Sequence, residues 1–338
     1  MFVDQIAMNK VIVLYRRPSG KAVQGDFKLI FEPVPVADDG EILLKTRFVS
    51  VDPYLRGRMN DKPSYVPPFK LNKPLQSAII AEVIDSNDTR FKIGDMVCGN
   101  LEWKEYQVAT GKGLQLIQTA DIYLTAYLGI LGMTGLTACL GLTEIGRPKP
   151  GETLVISGAA GAVGSVVGQI GKIMGCRVVG IAGSDQKVKL LKSKFNFDEA
   201  INYKTTMDLR GAIKTVCPDG VDIYFDNVGG KISDDVLNYI NKYARIVVCG
   251  AISMYNETSR VLGPYVQPSL VSKSALMQGF IVSDFADQFP ATKKQLFKWL
   301  MDGKLSYHET ILEGFERIPQ AFIGLFEGNN EGKMIVKV

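Results

Sequence analysis

The sequence predicts an α/β protein with a doubly wound parallel sheet, preceded by a strand-rich, barrel-like domain. Three observations predict it. From about residue 150, short apolar strands alternate with helical segments. Those strands lack polar–apolar alternation, as expected where helices cover both faces of a parallel sheet. A glycine-rich turn, "SGAAGAVG" at 157–164, joins the first of them to a helix.

Taken in order, the runs "NKVIVLYRR", "EILLKTRFVSV", "SAIIAEVIDS" and "WKEYQVAT" read as strands, with "ADDG" and "FKIGD" as turns between them. Residues 122–143 carry no charge and are long enough for a membrane span. Glycines at 129, 132, 135 and 141 interrupt them, so a buried, broken helix pair is expected. The alternating region starts with "TLVISG" and a helix from Ala162 to Met174. "RVVGIAG" follows with a helix from Gln186 to Lys194, then "EAIN" with a helix from Met207 to Val216. "VDIYFDNV" leads to a helix from Ile232 to Asn241. The strands "ARIVVCG" and "LMQGFIVSD" and a helix from Lys293 to Met301 complete the pattern. The last segment has a helix and a strand and is expected to return to the first domain. The expected domains are thus 1–121 with 303–338, and 122–302.

With 338 residues, 46% of them hydrophobic and 22% charged, the chain can build two ordinary cores. A net charge of +4, with no block of basic residues, excludes a nucleic-acid stripe. The N-terminal residues lack the apolar run of a signal peptide. Five cysteines at 98, 139, 176, 217 and 249 form no CxxC pair, a pattern of reduced, cytoplasmic thiols. With His308 the only histidine, a zinc site has almost no ligands, and no metal is expected.

The glycine-rich turn explains itself as a dinucleotide fingerprint, the Rossmann GxGxxG pattern with alanine first. Ala159, Gly161 and Gly164 occupy the three positions. Gly161 lets the backbone approach a pyrophosphate, and Gly164 lets the helix pack close to its strand. The helix N-terminus presents N–H groups and a partial positive charge to the anion. Val163, Val166, Val167 and Ile170 are expected to face the sheet. An NAD site would carry an acid about twenty residues on. Gly183 and Ser184 stand there instead, Asp185 is expected to cap the next helix, and Lys187 follows. A missing acid and an available cation favour a 2′-phosphate, hence NADPH.

The runs "VDPYLRGRM" at 51–59, "LGMTGLTA" at 131–138, "AAGAVGSVVGQIGK" at 159–172, "NYKT" at 202–205, "YFDNVGG" at 224–230, "CGAISMYN" at 249–256 and "GNNEGK" at 328–333 carry a resemblance. In that order they resemble the zinc-independent medium-chain dehydrogenases/reductases: the prostaglandin and leukotriene reductases, plant double-bond reductases and bacterial curcumin reductases. The likeness spans almost the whole chain. It implies a GroES-like first domain, a Rossmann second domain and NADPH-dependent reduction of a carbon–carbon double bond conjugated to a carbonyl.

Position by position, the resemblance puts Gly161, Ala162, Val163 and Gly164 on the pyrophosphate. Ser184, Lys187 and Tyr203 fall at the 2′-phosphate end, and Asn227 at the end of the fourth strand. Cys249, Gly250, Ile252, Ser253 and Tyr255 lie in a loop beside the cofactor. Phe280, Ile281 and Val282 supply backbone contacts near the nicotinamide, and Asn330 closes over the cofactor from the tail. Thr134, counted with the cofactor site, stands where many relatives have proline. "NKPLQSAIIAEV" lacks the glycine-rich run common in the family, which bears on the shape of the substrate cleft. Tyr54 and Tyr255 are implied to line that cleft, and Tyr65 is expected in a loop over it.

Such a reduction adds hydride to the β-carbon and leaves an enolate, so the enzyme must align two carbons and stabilise a developing oxyanion. A tyrosine, protonated at neutral pH with a reference pKa near ~10, suits the donor role; Tyr255 is the candidate, with the cofactor ribose hydroxyl or water as alternatives. His308 lies in "LSYHET", remote in sequence from every motif, and reads as a surface or satisfied residue. The alternatives are oxidation of an allylic or lipid alcohol with NADP, and an NADPH-binding protein without turnover. "LMQGFIVSD" as an edge strand suggests a homodimer.

Overall fold

A computed structural model of the protein describes residues 8–117 and 122–338. The chain divides into two compact units. The first comprises the described residues up to Leu128 together with Thr310–Asn329 and Met334–Val338; the second comprises Gly129–Glu309 and Asn330–Lys333. The chain therefore passes between the units at 128/129, 309/310, 329/330 and 333/334, where junctions at 121/122 and 302/303 were expected.

In the first unit β1 (Met8–Leu14) pairs antiparallel with β2 (Phe27–Pro33). β3 (Ile42–Ser50), the short helix α1 (Leu55–Arg58), β4 (Gln76–Ser86), β5 (Met96–Glu102), β6 (Tyr106–Ala109) and β7 (Gln115–Leu116) follow. Ile42, Leu44, Ile79, Ala81, Val83 and Val97 alternate inward and form one core with Phe27 and Trp103. Full burial of the Trp103 indole requires a partner for its N–H, which Ser77 Oγ supplies at 2.8 Å.

The second unit opens with α2 (Met133–Leu140), which runs into a π-helical turn at Gly141–Gly146. A 3-10 turn at Leu124–Leu128 precedes it in the first unit. The uncharged stretch is thus broken, and no helix among the described residues is long and apolar enough to cross a membrane. Strands and helices then alternate: β8 (Thr153–Ser157), α3 (Gly164–Ile173), β9 (Arg177–Ala182), α4 (Asp185–Ser193), β10 (Glu199–Asn202), α5 (Leu209–Val216), β11 (Val221–Asp226), α6 (Gly230–Leu237), β12 (Ile240–Val248), α7 (Gln267–Lys273), β13 (Leu276–Gly279) and α8 (Phe289–Met301). The six strands are parallel, in the order β10-β9-β8-β11-β12-β13. This is the doubly wound Rossmann arrangement, with its reversal of strand order between β8 and β11.

Two expected elements end earlier than their apolar patterns. α6 stops at Leu237 because Ile240 and Asn241 already belong to β12, where Ile240 pairs with Val221. β13 stops at Gly279, because the Asp284 carboxylate accepts the Ile281 N–H at 3.1 Å and starts a 3-10 turn. The chain then returns to the first unit through β14 (Glu309–Glu313), α9 (Ile318–Glu327) and β15 (Lys333–Lys337). The seven-stranded sheet there runs β14-β15-β3-β4-β5-β7, with β6 beside β3.

Candidate active site

Ligands in open parallel sheets bind outside the carboxyl ends of the strands, at the reversal point. Here that point is organised by a buried carboxylate. Asp226, at the end of β11, accepts hydrogen bonds at Oδ1 from Ser157 Oγ (2.8 Å), the Tyr224 hydroxyl (2.9 Å) and the N–H groups of Val228 (3.0 Å) and Gly229 (2.9 Å). Its carbonyl accepts the N–H groups of Cys249 (2.9 Å) and Gly250 (3.1 Å), after β12. Asn227 completes the corner: its N–H donates to Ser157 Oγ (2.9 Å) and its side-chain amide to the Ser157 carbonyl (2.8 Å). The ends of three strands are therefore clamped around one residue. Burial holds the Tyr224 phenol far above its usual pKa, so it remains a donor.

On one side of the corner lies the glycine-rich turn. α3 starts at Gly164, and Val163 is its half-buried N-cap rather than a sheet-facing residue. A Cβ at 164 would lie 2.5 Å from the Gly158 carbonyl oxygen and 2.8 Å from Ala159 Cα, so only glycine lets the helix start this close to the strand. Val166, Val167 and Ile170 are buried against the sheet. In the first turn the Ser165 N–H donates to the Gly161 carbonyl at 3.1 Å and the Val166 N–H to the Val163 carbonyl at 3.1 Å.

At the end of β9, Ser184 rather than Asp185 is the helix cap: its Oγ accepts the Lys187 N–H at 3.2 Å. Asp185 is instead held by Asn202, whose amide donates to it at 2.7 Å. Tyr203 is 38% exposed beside the turn, and a Cβ at Gly183 would lie 3.1 Å from its ring. Burial lowers the pKa of Lys187, Glu331 opposes that shift, and Lys204 adds to it. These residues fit a phosphorylated dinucleotide: a turn that only glycine closes at the start of a helix, with Lys187 and Lys204 near the end of β9.

On the other side lies the loop after β12. A 3-10 turn at Ile252–Met254 brings Tyr255 back so that its hydroxyl accepts the Ala251 N–H at 3.3 Å. A Cβ at Gly250 would meet that hydroxyl oxygen at 3.2 Å. The loop is tied to the Asp226 corner by Ile252 N–H to the Asn227 carbonyl (3.3 Å) and by Ser253 Oγ to the Val228 carbonyl (2.7 Å). Burial raises the Tyr255 phenol above its ordinary pKa and pushes the Cys249 thiol up to about 12. Both stay protonated at neutral pH, and Cys249 is no thiolate nucleophile. Phe280 packs where a Cβ at Gly141 would touch its ring at 2.5 Å, with Ile281 and Val282 next to it. Thr134 is buried in α2, its hydroxyl satisfied by the Gly129 carbonyl at 2.9 Å.

A family described as the N-terminal domain of oxidoreductase matches residues 10–117, and one described as zinc-binding dehydrogenase matches residues 162–300. The chain is 58% identical to a putative NADP-dependent oxidoreductase, YfmJ, of Bacillus subtilis, over 98% of both chains. It is 40% identical to the NADPH-dependent curcumin reductase of Escherichia coli, over 99% of this chain and 98% of that one. The solved structure of CurA from Vibrio vulnificus in complex with NADPH matches with a TM-score of 0.93 and 40% identity, covering 97% of this chain and 99% of that one. The chain belongs to the medium-chain dehydrogenase/reductase family. Among the described residues no group of three or more His, Cys, Asp or Glu is placed to hold a metal ion.

The tail of this family member joins the same edge. Gly332 N–H donates to the Ala160 carbonyl at 2.8 Å and bridges to Gly161, while Asn330 closes the turn by donating to the Gly332 carbonyl at 2.8 Å. His308, remote in sequence, lies here in space: its carbonyl accepts the Lys333 N–H at 2.9 Å and its Nε2 is 3.4 Å from Glu331. Tyr54 and Tyr65 belong to the first unit. Tyr54 is the half-buried residue before α1, and burial, with Asp52 adding, raises its phenol well above the ordinary value. Tyr65 is 61% exposed. Arg58 lies in the field of both tyrosines and stacks on Phe69, 3.9 Å from the ring centroid. Sequence reasoning missed Ser157 and Asp226 as organisers of the corner. The signal was a buried-strand acid in "YFDNV", which needs partners to be tolerated there.

Proposed function

We propose that the chain is an NADPH-dependent reductase of the carbon–carbon double bond in α,β-unsaturated aldehydes and ketones. The observation that carries this is Tyr255: a half-buried, protonated phenol at the carboxyl edge whose oxygen already accepts the Ala251 N–H, leaving its own proton to donate. NADPH, when bound, supplies the hydride that adds to the β-carbon of the substrate. The turn at Gly161–Gly164 holds the pyrophosphate, and Ser184, Lys187 and Tyr203 hold the 2′-phosphate. Asn227, the loop from Cys249 to Tyr255, and Phe280, Ile281 and Val282 orient the nicotinamide end, with Thr134 and Asn330 as further contacts. Tyr255 donates a hydrogen bond to the carbonyl oxygen as negative charge develops there. Tyr54 and Tyr65 contribute to substrate selection. The names of the relatives, which include a 2-alkenal reductase of Nicotiana tabacum 42% identical over 98% of this chain, support the choice of substrate class.

The proposal includes a homodimer in a reducing, cytoplasmic setting. All five cysteines are free thiols. β13 is an edge strand, and Leu262, Tyr265 and Val271 are each at least 80% exposed near it in sequence; light scattering checks the mass. The function is tested by initial rates of NADPH consumption over unsaturated aldehydes and ketones with EDTA present. Turnover with enones and none with allylic alcohol plus NADP is expected. Faster alcohol oxidation, or tight NADPH binding with no turnover across the panel, would refute it.

A further inference from the structure

Residues 249–255 carry Tyr255 and fold back on themselves. The Met254 N–H donates to the Ala251 carbonyl at 2.9 Å, and the Tyr255 hydroxyl accepts the Ala251 N–H at 3.3 Å. The segment is thus one closed turn, and the place of the phenol is set by what anchors that turn. At its first end the Cys249 and Gly250 N–H groups donate to the Asp226 carbonyl at 2.9 and 3.1 Å. Nearer the tyrosine the Ile252 N–H reaches the Asn227 carbonyl at 3.3 Å, at the long end of the useful range. Ser253 makes the firmer contact there: its N–H at 3.1 Å and its Oγ at 2.7 Å both donate to the Val228 carbonyl. So close an approach needs bare backbone opposite. A Cβ at Gly230, whose φ is +58°, would lie 2.9 Å from Ser253 Oγ, and one at Gly229, whose φ is +70°, would lie 3.2 Å from the Met254 methyl. Two consecutive glycines at the start of α6 therefore form the seat of the turn.

We propose that Ser253 is a positioning residue for the reaction: its hydroxyl latches the turn onto the Val228 carbonyl and so holds the Tyr255 phenol where the oxyanion develops. The inference rests on the reading of Tyr255 as the oxyanion donor. Such a donor serves only within about 2.7–3.1 Å of the place the oxyanion will occupy, and small misplacements of a reacting group are costly. The bonds from Cys249, Gly250 and Ile252 are main-chain bonds, which a substitution leaves in place. The Ser253 Oγ bond belongs to a side chain, and alanine removes it. Ser253 is exposed, so water competes for the same carbonyl. The expected loss in kcat is therefore about two- to tenfold, the worth of one neutral hydrogen bond.

The test is a double-mutant cycle on the full-length protein: Ser253→Ala, Tyr255→Phe and the two together. Initial rates are measured with saturating NADPH and a saturating enal, and NADPH affinity by titration of cofactor fluorescence. Ser253→Ala is expected to lower kcat by about two- to tenfold and to leave NADPH affinity within about twofold. In the Tyr255→Phe background the same change is expected to cost nothing further, because both substitutions act on one contact. An unchanged kcat in Ser253→Ala overturns the inference. So do equal losses in the two backgrounds, which would make the serine merely structural, and a loss that follows weaker NADPH binding, which would make it a cofactor contact. In each of those cases a Tyr255→Phe loss of about a hundredfold leaves the donor reading standing. A Tyr255→Phe loss below about threefold overturns the donor reading itself, and the inference with it.

Discussion

Replacing Tyr255 with phenylalanine removes one oxygen and separates chemistry from stability. The lost structural contact is the Ala251 N–H bond at 3.3 Å, at the long end of the useful range. A neutral bond of that kind contributes roughly 0.5–1.5 kcal/mol net, which for a chain of this size shifts Tm by a few degrees at most. The lost donor to the developing oxyanion costs about 2.7–4 kcal/mol. At about 1.36 kcal/mol per decade, that lowers kcat by roughly a hundred- to a thousandfold. Steady-state rates with a saturating enal, paired with thermal melts of both proteins, measure the two effects separately. The pH profile adds a check. Burial raises the folded-state pKa of Tyr255 above ~10. Donation is therefore constant through neutral pH, and the stability it contributes is present below ~10 and lost as pH rises through the raised value. A loss of kcat below about threefold, with the alkaline limb unchanged, would mean that ribose hydroxyl or water donates instead, and Tyr255 would only pack.

Other consequences follow from the same edge. Asp226→Asn weakens four hydrogen bonds to Oδ1. At about 1 kcal/mol each, partly offset by the removal of a buried charge, a net loss of roughly 2–3 kcal/mol is expected in urea unfolding; an unchanged midpoint would contradict the clamp. Gly164→Ala forces a Cβ against backbone atoms at 2.5 and 2.8 Å. It is expected to destabilise by about 1–3 kcal/mol and to weaken NADPH at least tenfold, measured by fluorescence titration; native-like affinity would place the pyrophosphate elsewhere. Lys187→Ala is expected to weaken NADPH by about ten- to a hundredfold while leaving NADH nearly unchanged.

Much of the fold was legible because its signals are local. Alternating apolar strands and helices, and a glycine turn after "TLVIS", required the parallel sheet without reference to any distant residue. What stayed hidden depends on contacts between separated parts of the chain. Ile240 and Asn241 continue a helical pattern, yet the pairing of Ile240 with Val221 draws them into β12. "LMQGFIVSD" is apolar enough for a longer strand, but Asp284 turns the chain at Ile281. The exchange of roles between Ser184 and Asp185 turns on Asn202, seventeen residues away, which occupies the aspartate. His308 could not be linked to the cofactor edge from "LSYHET", because the glycine at 332 that brings the tail under it lies in another element.

One measurement bears most directly on the chemistry: reduction of an unsaturated ketone with NADPH deuterated at the transferable position of its nicotinamide. One deuterium on the β-carbon of the saturated ketone is expected, in wild-type protein treated with EDTA. Deuterium on the carbonyl carbon of an allylic alcohol, or a product without label, would contradict the proposed reaction.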